Sequence, residues 1–335
     1  MPIGRLRYRA LTACLLIAGC LICALALSPA GHAREPGARA AGTRYVTGIG
    51  DQNAEMFLDP NWQQLHTTIA RYIAPYDAAV SRPDFNAAKL WLARAQAAHQ
   101  RILVAFYHSE RTPTRLPSVR GYERDVAKFA RAFPFVKEYQ PWNEANRGNV
   151  KHQFSSPSPS LAAGYYDALR KACRGCTITA LDVLDQNSFR GTLRYIAQFK
   201  TALRRLRVPA PHLWGLHNYS DTNRFRSSAT RAIVGALGGT VWLTETGGIV
   251  RFPPSFLNRH GSGISRATRA LRYMFRLAGS NPHITRLYIF QWRGAGPNAH
   301  FDAGLTDADF RPRPGYVVVC EAMHAAHCDV NTSAD

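Results

Sequence analysis

Patterns that would hold a metal ion are scarce in this sequence. Cys173-Arg-Gly-Cys176 is a Cys-x-x-Cys motif, but no second such motif and no nearby His-x-x-x-His pair completes a tetrahedral set of ligands. The sequence also lacks a His-x-His or paired-Asp motif on an apolar run, which a metal-dependent barrel hydrolase would use. We expect no metal and no cofactor. Two local disulfides, Cys173–Cys176 and Cys320–Cys328, are favoured over a metal site because oxidising compartments support such pairs.

Acidic residues are few as well. The chain has 22 Asp and Glu against 42 Lys and Arg, a net charge of +20, and only six of the cationic residues are lysine. They are scattered, without the basic run or the interleaved aromatic residues of a nucleic-acid groove, so no nucleic-acid partner is expected. A solvated basic surface is the simpler interpretation. Affinity for acidic glycans or cell-wall polymers is the alternative.

The first 43 residues have the pattern of a secretory signal followed by a linker. Three arginines precede an apolar stretch over residues 10–27, and the small-residue sequence Ser-Pro-Ala-Gly-His-Ala follows at 28–33. This order predicts a signal peptide over 1–33, a linker over 34–43 and a secreted, extracellular or cell-surface protein. Removal of the signal takes away three arginines and no acidic residue, so the net charge falls from +20 to +17.

Two other interpretations of the N-terminus stay open. The apolar stretch approaches the length that spans a bilayer, so a membrane anchor is one alternative. The sequence Ile17-Ala18-Gly19-Cys20 also resembles a bacterial lipoprotein cleavage box, which would anchor the protein at Cys20. Because the apolar run continues well past Cys20, we favour an ordinary signal and expect no stable association with a membrane.

No break in composition divides the rest of the chain, and residues 44–330 are predicted to form one domain. Eight apolar runs have strand character: 45–49, 69–75, 102–107, 136–142, 177–183, 213–219, 240–244 and 284–292. Helical periodicity lies between them at 85–99, 122–133, 161–173, 192–206 and 264–278. Strands that alternate with helices in this way predict a parallel sheet closed into a (β/α)8 TIM barrel of the α/β class.

Polar side chains follow the predicted strands at the ends where barrel enzymes place their active sites. They are Arg71, His108, Asn143, Glu144, Asp182, Asp185, His217, Tyr219, Glu245 and Trp292. Arg71 lies inside its strand and is expected to point into the floor of the pocket. Asp182 and Asp185 are expected to cap loops rather than to contact a ligand. For His108, structural and functional roles are equally open.

Glu144 and Glu245 form the candidate catalytic pair. Cleavage of a glycosidic bond needs one carboxylic acid that protonates the departing oxygen and one carboxylate that attacks or stabilises the oxocarbenium-like carbon. An arginine near Glu245 would keep it ionised, whereas Glu144, backed by Trp142 and close to a second carboxylate, is expected to have a raised pKa. For a retaining enzyme the two carboxyl groups are expected about 5 to 5.5 Å apart.

The order of these motifs resembles a known group of enzymes. Trp-Asn-Glu on a fourth strand, His-x-Tyr on a sixth, Thr-Glu-Thr-Gly on a seventh and Trp on an eighth are similar to the retaining glycoside hydrolases of clan A. The resemblance is greatest to the family 5 cellulase-like enzymes and the family 39 group, and it extends over residues 45–291. It implies that Glu144 is the acid/base and Glu245 the nucleophile.

The same resemblance implies roles for the neighbouring residues. Asn143 would donate a hydrogen bond to the sugar 2-hydroxyl, and Tyr219 and Arg71 would orient the nucleophile. The remaining three would form the innermost sugar site, with His217 and His108 as its lining and Trp292 as its stacking platform. The sequence departs from the family at Ala145, where proline usually follows the acid/base, and this blurs the subfamily and hence the substrate.

The sequence thus predicts a secreted, monomeric, retaining β-glycosidase that acts on a polysaccharide or oligosaccharide. A catalytically silent glycan-binding barrel is the main alternative, although such proteins usually lose one of the two carboxylates. A fold does not name a substrate, so the sugar, the linkage and the choice between internal and terminal attack are left open.

Overall fold

A curved sheet of parallel strands forms the centre of the computed structural model. Residues 45–148, 155–252, 263–325 and Cys328 are described, and all belong to one compact unit. The strands are β1 Val46–Gly50, β2 Ile69–Pro75, β3 Arg101–Tyr107, β4 Glu138–Gln140, β5 Thr177–Ile178, β6 Asp182–Leu184, β7 Leu213–His217, β8 Thr240–Thr246 and β9 Ile284–Phe290. Their order in the sheet is β5-β4-β3-β2-β1-β9-β8-β7-β6.

The two ends of this sheet belong to one stretch of chain. β5 pairs with β4 and β6 pairs with β7, and only three residues separate β5 from β6. Between them, the Thr179 N–H donates to the carbonyl of Tyr139, and the Ala180 N–H donates to the carbonyl of Leu213. The segment 177–184 therefore bonds to both neighbours and acts as a single fifth strand. The predicted (β/α)8 barrel is confirmed.

Helices cover the outside of the sheet. They are α1 Pro60–Gln64, α2 Arg82–Ala97, α3 Val119–Ala132, α4 Pro159–Ala172, α5 Arg190–Arg205, α6 Tyr219–Asn223, α7 Ser228–Leu237, α8 Ile264–Gly279 and α9 Pro314–Ala322. Serine caps fix two of the starts, because the Ser118 and Ser158 side chains accept hydrogen bonds from backbone N–H groups of the first turn. In the described part of the chain, every helix is too short or too polar to cross a membrane.

The barrel interior is filled near the N-terminal ends of the strands. Ile69, Leu103, Trp242 and Tyr288 form a buried cluster there. Arg286 lies 3.8 Å from the ring centre of Trp242 and also pairs with Glu138. Because this packing closes one end of the barrel, polar side chains at the opposite, C-terminal ends of the strands are left to form a site.

Two cavities of about 540 and 420 Å³ lie on the outside of the barrel, at the closed end. The larger is lined by residues such as Trp62 and Arg94, and it reaches Thr67, just before β2. The smaller reaches Thr177 and Leu213, where β5 and β7 begin. Neither cavity is lined by Glu144 or Glu245.

Both predicted disulfides are present. Cys173 and Cys176 are bonded just after α4, and Cys320 in α9 is bonded to Cys328. Each bridge closes a short loop, with sequence separations of 3 and 8 residues.

We expect the double variant Cys320→Ser/Cys328→Ser to be modestly less stable than the parent protein. In the chain-entropy model so short a loop contributes about 2 to 3 kcal/mol to the free energy of unfolding. Urea denaturation of the variant and the parent measures the difference. An unchanged midpoint would show that the bridge contributes nothing to stability.

Candidate active site

The two candidate carboxylates meet at the C-terminal end of the barrel. Glu245 lies within β8 and is in register with His217 at the end of β7. Glu144 follows β4, and its φ of 47° is in the left-handed region that residues with a side chain seldom adopt. One carboxylate oxygen of Glu144 and one of Glu245 lie within 4.8 Å of each other, and both residues are buried.

Glu245 is held by two hydrogen-bond donors. Arg71 Nη1 donates to Glu245 Oε2 at 2.7 Å, and the Tyr219 hydroxyl donates to Oε1 at 3.1 Å. Arg71 reaches this point from inside β2, where its side chain is almost fully buried in the barrel, as its position in the sequence indicates. A charge-assisted hydrogen bond of this kind suits an ionised carboxylate.

Arg71 also fixes Asn143. Its Nη2 donates to Asn143 Oδ1 at 2.5 Å, and its Nε donates to Gln140 Oε1 at 3.3 Å. Because the Asn143 oxygen accepts from Arg71, the amide nitrogen of Asn143 faces the other way. One buried guanidinium therefore holds both the Glu245 carboxylate and the side chain of Asn143, which precedes Glu144.

Glu144 is held by two different cations. His217 Nδ1 lies 3.0 Å from Glu144 Oε1, and Arg147 Nη1 donates to Oε2 at 2.9 Å. Burial raises the pKa of Glu144, but the hydrogen bond and charge of His217, followed by the Arg147 guanidinium, outweigh burial and lower the pKa to about 2. The expectation of a raised pKa for Glu144 is therefore wrong in this arrangement of side chains.

His217 is positively charged in this arrangement. Its Nε2 lies 2.9 Å from Asp182 Oδ2, while Nδ1 faces Glu144. Burial lowers the pKa of His217, but the Asp182 and Glu245 carboxylates and the hydrogen bonds with Asp182 and Glu144 raise it to about 10. The imidazolium can then donate a hydrogen bond to a carboxylate on each side, Glu144 from Nδ1 and Asp182 from Nε2.

Asp182 and Asp185 differ from each other. Asp185 accepts the backbone N–H groups of Ser220 and Asp221, so it is a structural cap as expected, although it caps the start of α6 and not a loop. Asp182 does not lie in a loop. It lies in β6, is fully buried, and accepts hydrogen bonds from the Glu144 N–H and from Thr244 Oγ1 while it pairs with His217. Its expected role as a loop cap is replaced by that of a buried counter-ion.

Trp292 is not positioned as a platform. Its side chain is 0% exposed, its indole N–H donates to Asp59 Oδ2 at 2.9 Å, and its ring packs edge-on against Tyr316. The expected stacking of a sugar on Trp292 is therefore contradicted. β9 ends at Phe290, so the strand alternation that would direct Trp292 into the barrel no longer applies there.

Other aromatic side chains border the carboxylates instead. Phe301 packs edge-on against Tyr219 at 6.0 Å between ring centres, and Phe290 lies 6.3 Å from Phe301. Both phenylalanines are partly exposed. On the other side of the site, half-buried His108 follows β3 with its ring 4.3 Å from that of Tyr107.

The donor atoms of Glu144, His217 and Glu245 all lie within 4.8 Å of one another, a spacing that can hold a metal ion. The chemistry of the donors does not fit one. An imidazolium with a carboxylate on each nitrogen has no lone pair to offer, and arginine already occupies an oxygen of each glutamate. A cation would have to displace these partners first.

No family model matches this sequence, and no curated protein matches it either. Solved structures with a similar fold were found. A family 39 glycoside hydrolase from Bacteroides cellulosilyticus WH2 is 13% identical, with a TM-score of 0.53 over 84% of this chain. The match covers 64% of that enzyme, so this chain spans less than two thirds of its length.

Two further structures are matched over a larger share of their own length. Xylanase 10B from Thermotoga petrophila RKU-1, solved in complex with xylobiose, is 13% identical, with a TM-score of 0.58 over 84% of this chain and 94% of its own. A GH5_18 protein from Streptomyces cattleya, in complex with GlcNAc, is also 13% identical, with a TM-score of 0.57 over 87% and 81%. The resemblance to clan A glycoside hydrolases that the motifs indicated is confirmed at the level of the fold.

Proposed function

We propose that this protein is a retaining β-glycoside hydrolase with Glu245 as its nucleophile and Glu144 as its acid/base. The observation that carries this proposal is the separation of the two buried carboxylates, whose nearest oxygens lie within 4.8 Å. Retaining enzymes place their carboxyl groups about 5 to 5.5 Å apart, whereas inverting enzymes need about 6.5 to 9.5 Å to seat a water molecule.

In the first step, Glu245 attacks the anomeric carbon as a carboxylate. The glycosidic C–O bond breaks, its electron pair stays on the leaving oxygen, and that oxygen takes the proton of Glu144. Arg71 and Tyr219 hold the two oxygens of Glu245 and set the direction of attack. The product of this step is a glycosyl ester of Glu245.

In the second step, water attacks the same carbon. Glu144 accepts a proton from that water, and the bond between the anomeric carbon and Glu245 breaks, which restores both side chains. Glu245 carries no charge while it is esterified, so it no longer repels a negative charge on Glu144. Loss of that repulsion favours the carboxylate form that a base requires.

The first step requires a protonated Glu144, although its partners His217 and Arg147 favour the carboxylate. His217 is fully buried and Arg147 is more exposed, so Arg147 is the partner that a substrate can reach. When Arg147 moves away, one of the two cations that lower the pKa of Glu144 is lost, so burial is opposed by His217 alone and the pKa rises towards the range of a useful acid.

The substrate belongs to the class of β-linked polysaccharides or oligosaccharides. One similar structure is a xylanase with bound xylobiose and another holds GlcNAc, so several sugars have to be tried. The two disulfides favour an oxidising, extracellular location. We propose a secreted monomer without a cofactor. Of the sugar contacts, Asn143 and His108 keep their proposed roles, and Phe290 and Phe301 replace Trp292 as the aromatic surface. His217 is fully buried between Glu144 and Asp182, so we assign it the positioning of Glu144 and not a sugar contact.

A panel of aryl β-glycosides and polysaccharides tests the activity. We expect the purified protein to release sugar from at least one of them, and Glu245→Gln to lose that activity. Glu110→Gln is the matched control, because Glu110 is an exposed glutamate just after β3 on the same face of the barrel. Binding without turnover in the parent protein would indicate the glycan-binding alternative instead.

A further inference from the structure

Arg147 covers the oxygen of Glu144 that a substrate must reach. The two oxygens of this carboxylate face different surroundings: Oε1 faces fully buried His217, and Oε2 faces Arg147, whose side chain is 42% exposed. The side chain of Glu144 itself is 6% exposed. A glycosidic oxygen approaching from the open end of the barrel therefore meets Oε2, where the guanidinium already lies.

The position of Arg147 is built into the backbone. Glu144 has a φ of 47°, and the Arg147 N–H donates to the Glu144 carbonyl at 2.9 Å, so a tight turn begins at the candidate acid itself. Asn146, inside this turn, is anchored because its side-chain amide donates to the Leu184 carbonyl and accepts from the Leu184 N–H. The turn is thereby fastened to β6, and it directs Arg147 back onto Glu144.

The charged and titratable groups around Glu144 come from several strands and from the segments that follow them. They are Arg71 of β2, Tyr107 of β3, Asp182 of β6, His217 of β7, Tyr219 of α6, Glu245 of β8, and Arg147 of the turn. Arg147 is the most exposed of these groups. It also lies close enough to Tyr107 for its charge to oppose the rise that burial causes in the pKa of the Tyr107 hydroxyl. A charge carried by a substrate can compete for Arg147 more readily than for the buried groups.

Moving Arg147 from Glu144 leaves a guanidinium without its carboxylate partner. Sugar hydroxyls could accept its hydrogen bonds but would not balance its charge. A planar carboxylate or a sulfate ester would do both, since the guanidinium fork matches their geometry. The net charge of the sequence, +20 in full and +17 without the predicted signal peptide, also attracts anionic polymers at long range.

We propose, building on the proposed function, that the natural substrate carries an anionic substituent on its leaving-group side, which pairs with Arg147 and draws it from Glu144. Arg147 is then a specificity-determining residue that links substrate recognition to protonation of the acid. A uronic acid carboxylate and a sulfate ester are the two sources of such a charge.

The test uses matched phenyl β-glycosides of whichever sugar the protein hydrolyses. Their phenyl rings carry a 3-carboxylate, the methyl ester of that carboxylate, or a 3-sulfate. The kcat and KM values are measured for the parent protein, Arg147→Gln, Arg147→Lys and Arg190→Gln. Arg190 is the matched control, since it is an exposed arginine at the start of α5 on the same face of the barrel.

The anion preference is the kcat/KM for an anionic substrate divided by the kcat/KM for the ester. We expect this ratio to be about tenfold lower in Arg147→Gln than in the parent, because the variant loses one charge-assisted hydrogen bond to the substrate. Comparing the same substrate pair between proteins cancels the intrinsic reactivity of the two leaving groups. Arg147→Lys is expected to keep part of the preference and Arg190→Gln all of it. The anionic substrate, carboxylate or sulfate, whose preference falls more in Arg147→Gln identifies the source of the charge.

The pH profile separates this role from a merely structural one. With the neutral ester, the alkaline limb of kcat/KM is expected at higher pH in Arg147→Gln, because loss of the guanidinium raises the pKa of Glu144. An unchanged limb together with an unchanged anion preference would overturn the inference. If the parent hydrolyses none of the glycosides, the proposed function fails. In that case, calorimetry measures the affinity of the parent and of Arg147→Gln for the 3-carboxyphenyl glycoside and tests whether Arg147 binds an anion. Equal affinity of the two proteins would exclude an anion site at Arg147.

Discussion

Glu245→Ala is expected to abolish turnover of every glycoside that the protein hydrolyses, with a loss of at least about 10⁴-fold, because the covalent route has no other carboxylate in place of Glu245. Arg71 and Tyr219 would remain around the gap left by the side chain. A small anion such as azide can enter that gap and attack the anomeric carbon from the same face. We expect azide to restore part of the activity on activated aryl glycosides and to give the glycosyl azide of opposite anomeric configuration.

Glu110→Ala, which removes an exposed glutamate on the same face, is the control for this experiment. It should keep the parent activity and show no response to azide. Full activity of Glu245→Ala would exclude Glu245 as the nucleophile, and a rescued product of unchanged configuration would place the attack on the other face of the sugar.

The loss of activity in Glu144→Ala is expected to depend on the leaving group of the substrate. An aryl group that leaves as a stable phenolate needs little protonation, so the first step should stay fast with an activated aryl glycoside. With a polysaccharide, loss of the general acid should reduce kcat/KM by about 10² to 10⁴-fold. Steady-state and pre-steady-state rates on the two substrate types measure this difference. Equal losses on both would show that Glu144 is not the acid.

Much of the fold could be predicted because strands buried on both faces are continuous apolar runs and the helices between them have apolar residues at helical spacing. The spans 69–75 and 101–107 match prediction closely, and each of the five predicted helices is present within three residues at either end. The fifth strand was predicted as one run and is interrupted at Thr179, where hydrogen bonds pass from one neighbouring strand to the other. Predictions for residues 1–33 and 34–43 lie outside the described residues.

The short helices could not be predicted in the same way. α6 has only five residues, too few for a helical period to be recognised. α9 contains three consecutive valines, which favour strands by local preference. Its helical form depends on tertiary packing, since Val318 and Val319 are buried in the core. The disulfide between Cys320 in this helix and Cys328 after it also holds the following chain close to the helix.

The site shows which properties are local and which depend on the whole structure. The position of Arg71 inside a strand was enough to place it in the barrel. The pKa of Glu144 was not predictable, because it depends on the Asp182 and His217 pair that only the closed barrel brings together. Arg147 was missed for a similar reason: a residue three positions after Glu144 faces it only when a turn with positive φ folds the chain back. The glycine at position 148 was the available signal for such a turn.

The stereochemistry of hydrolysis tests the central claim most directly. Proton NMR of the parent protein acting on its best aryl β-glycoside identifies the anomer that is released before mutarotation. Double displacement through Glu245 predicts that the β-anomer is released first. Release of the α-anomer first would contradict the covalent role of Glu245 and indicate direct attack by water.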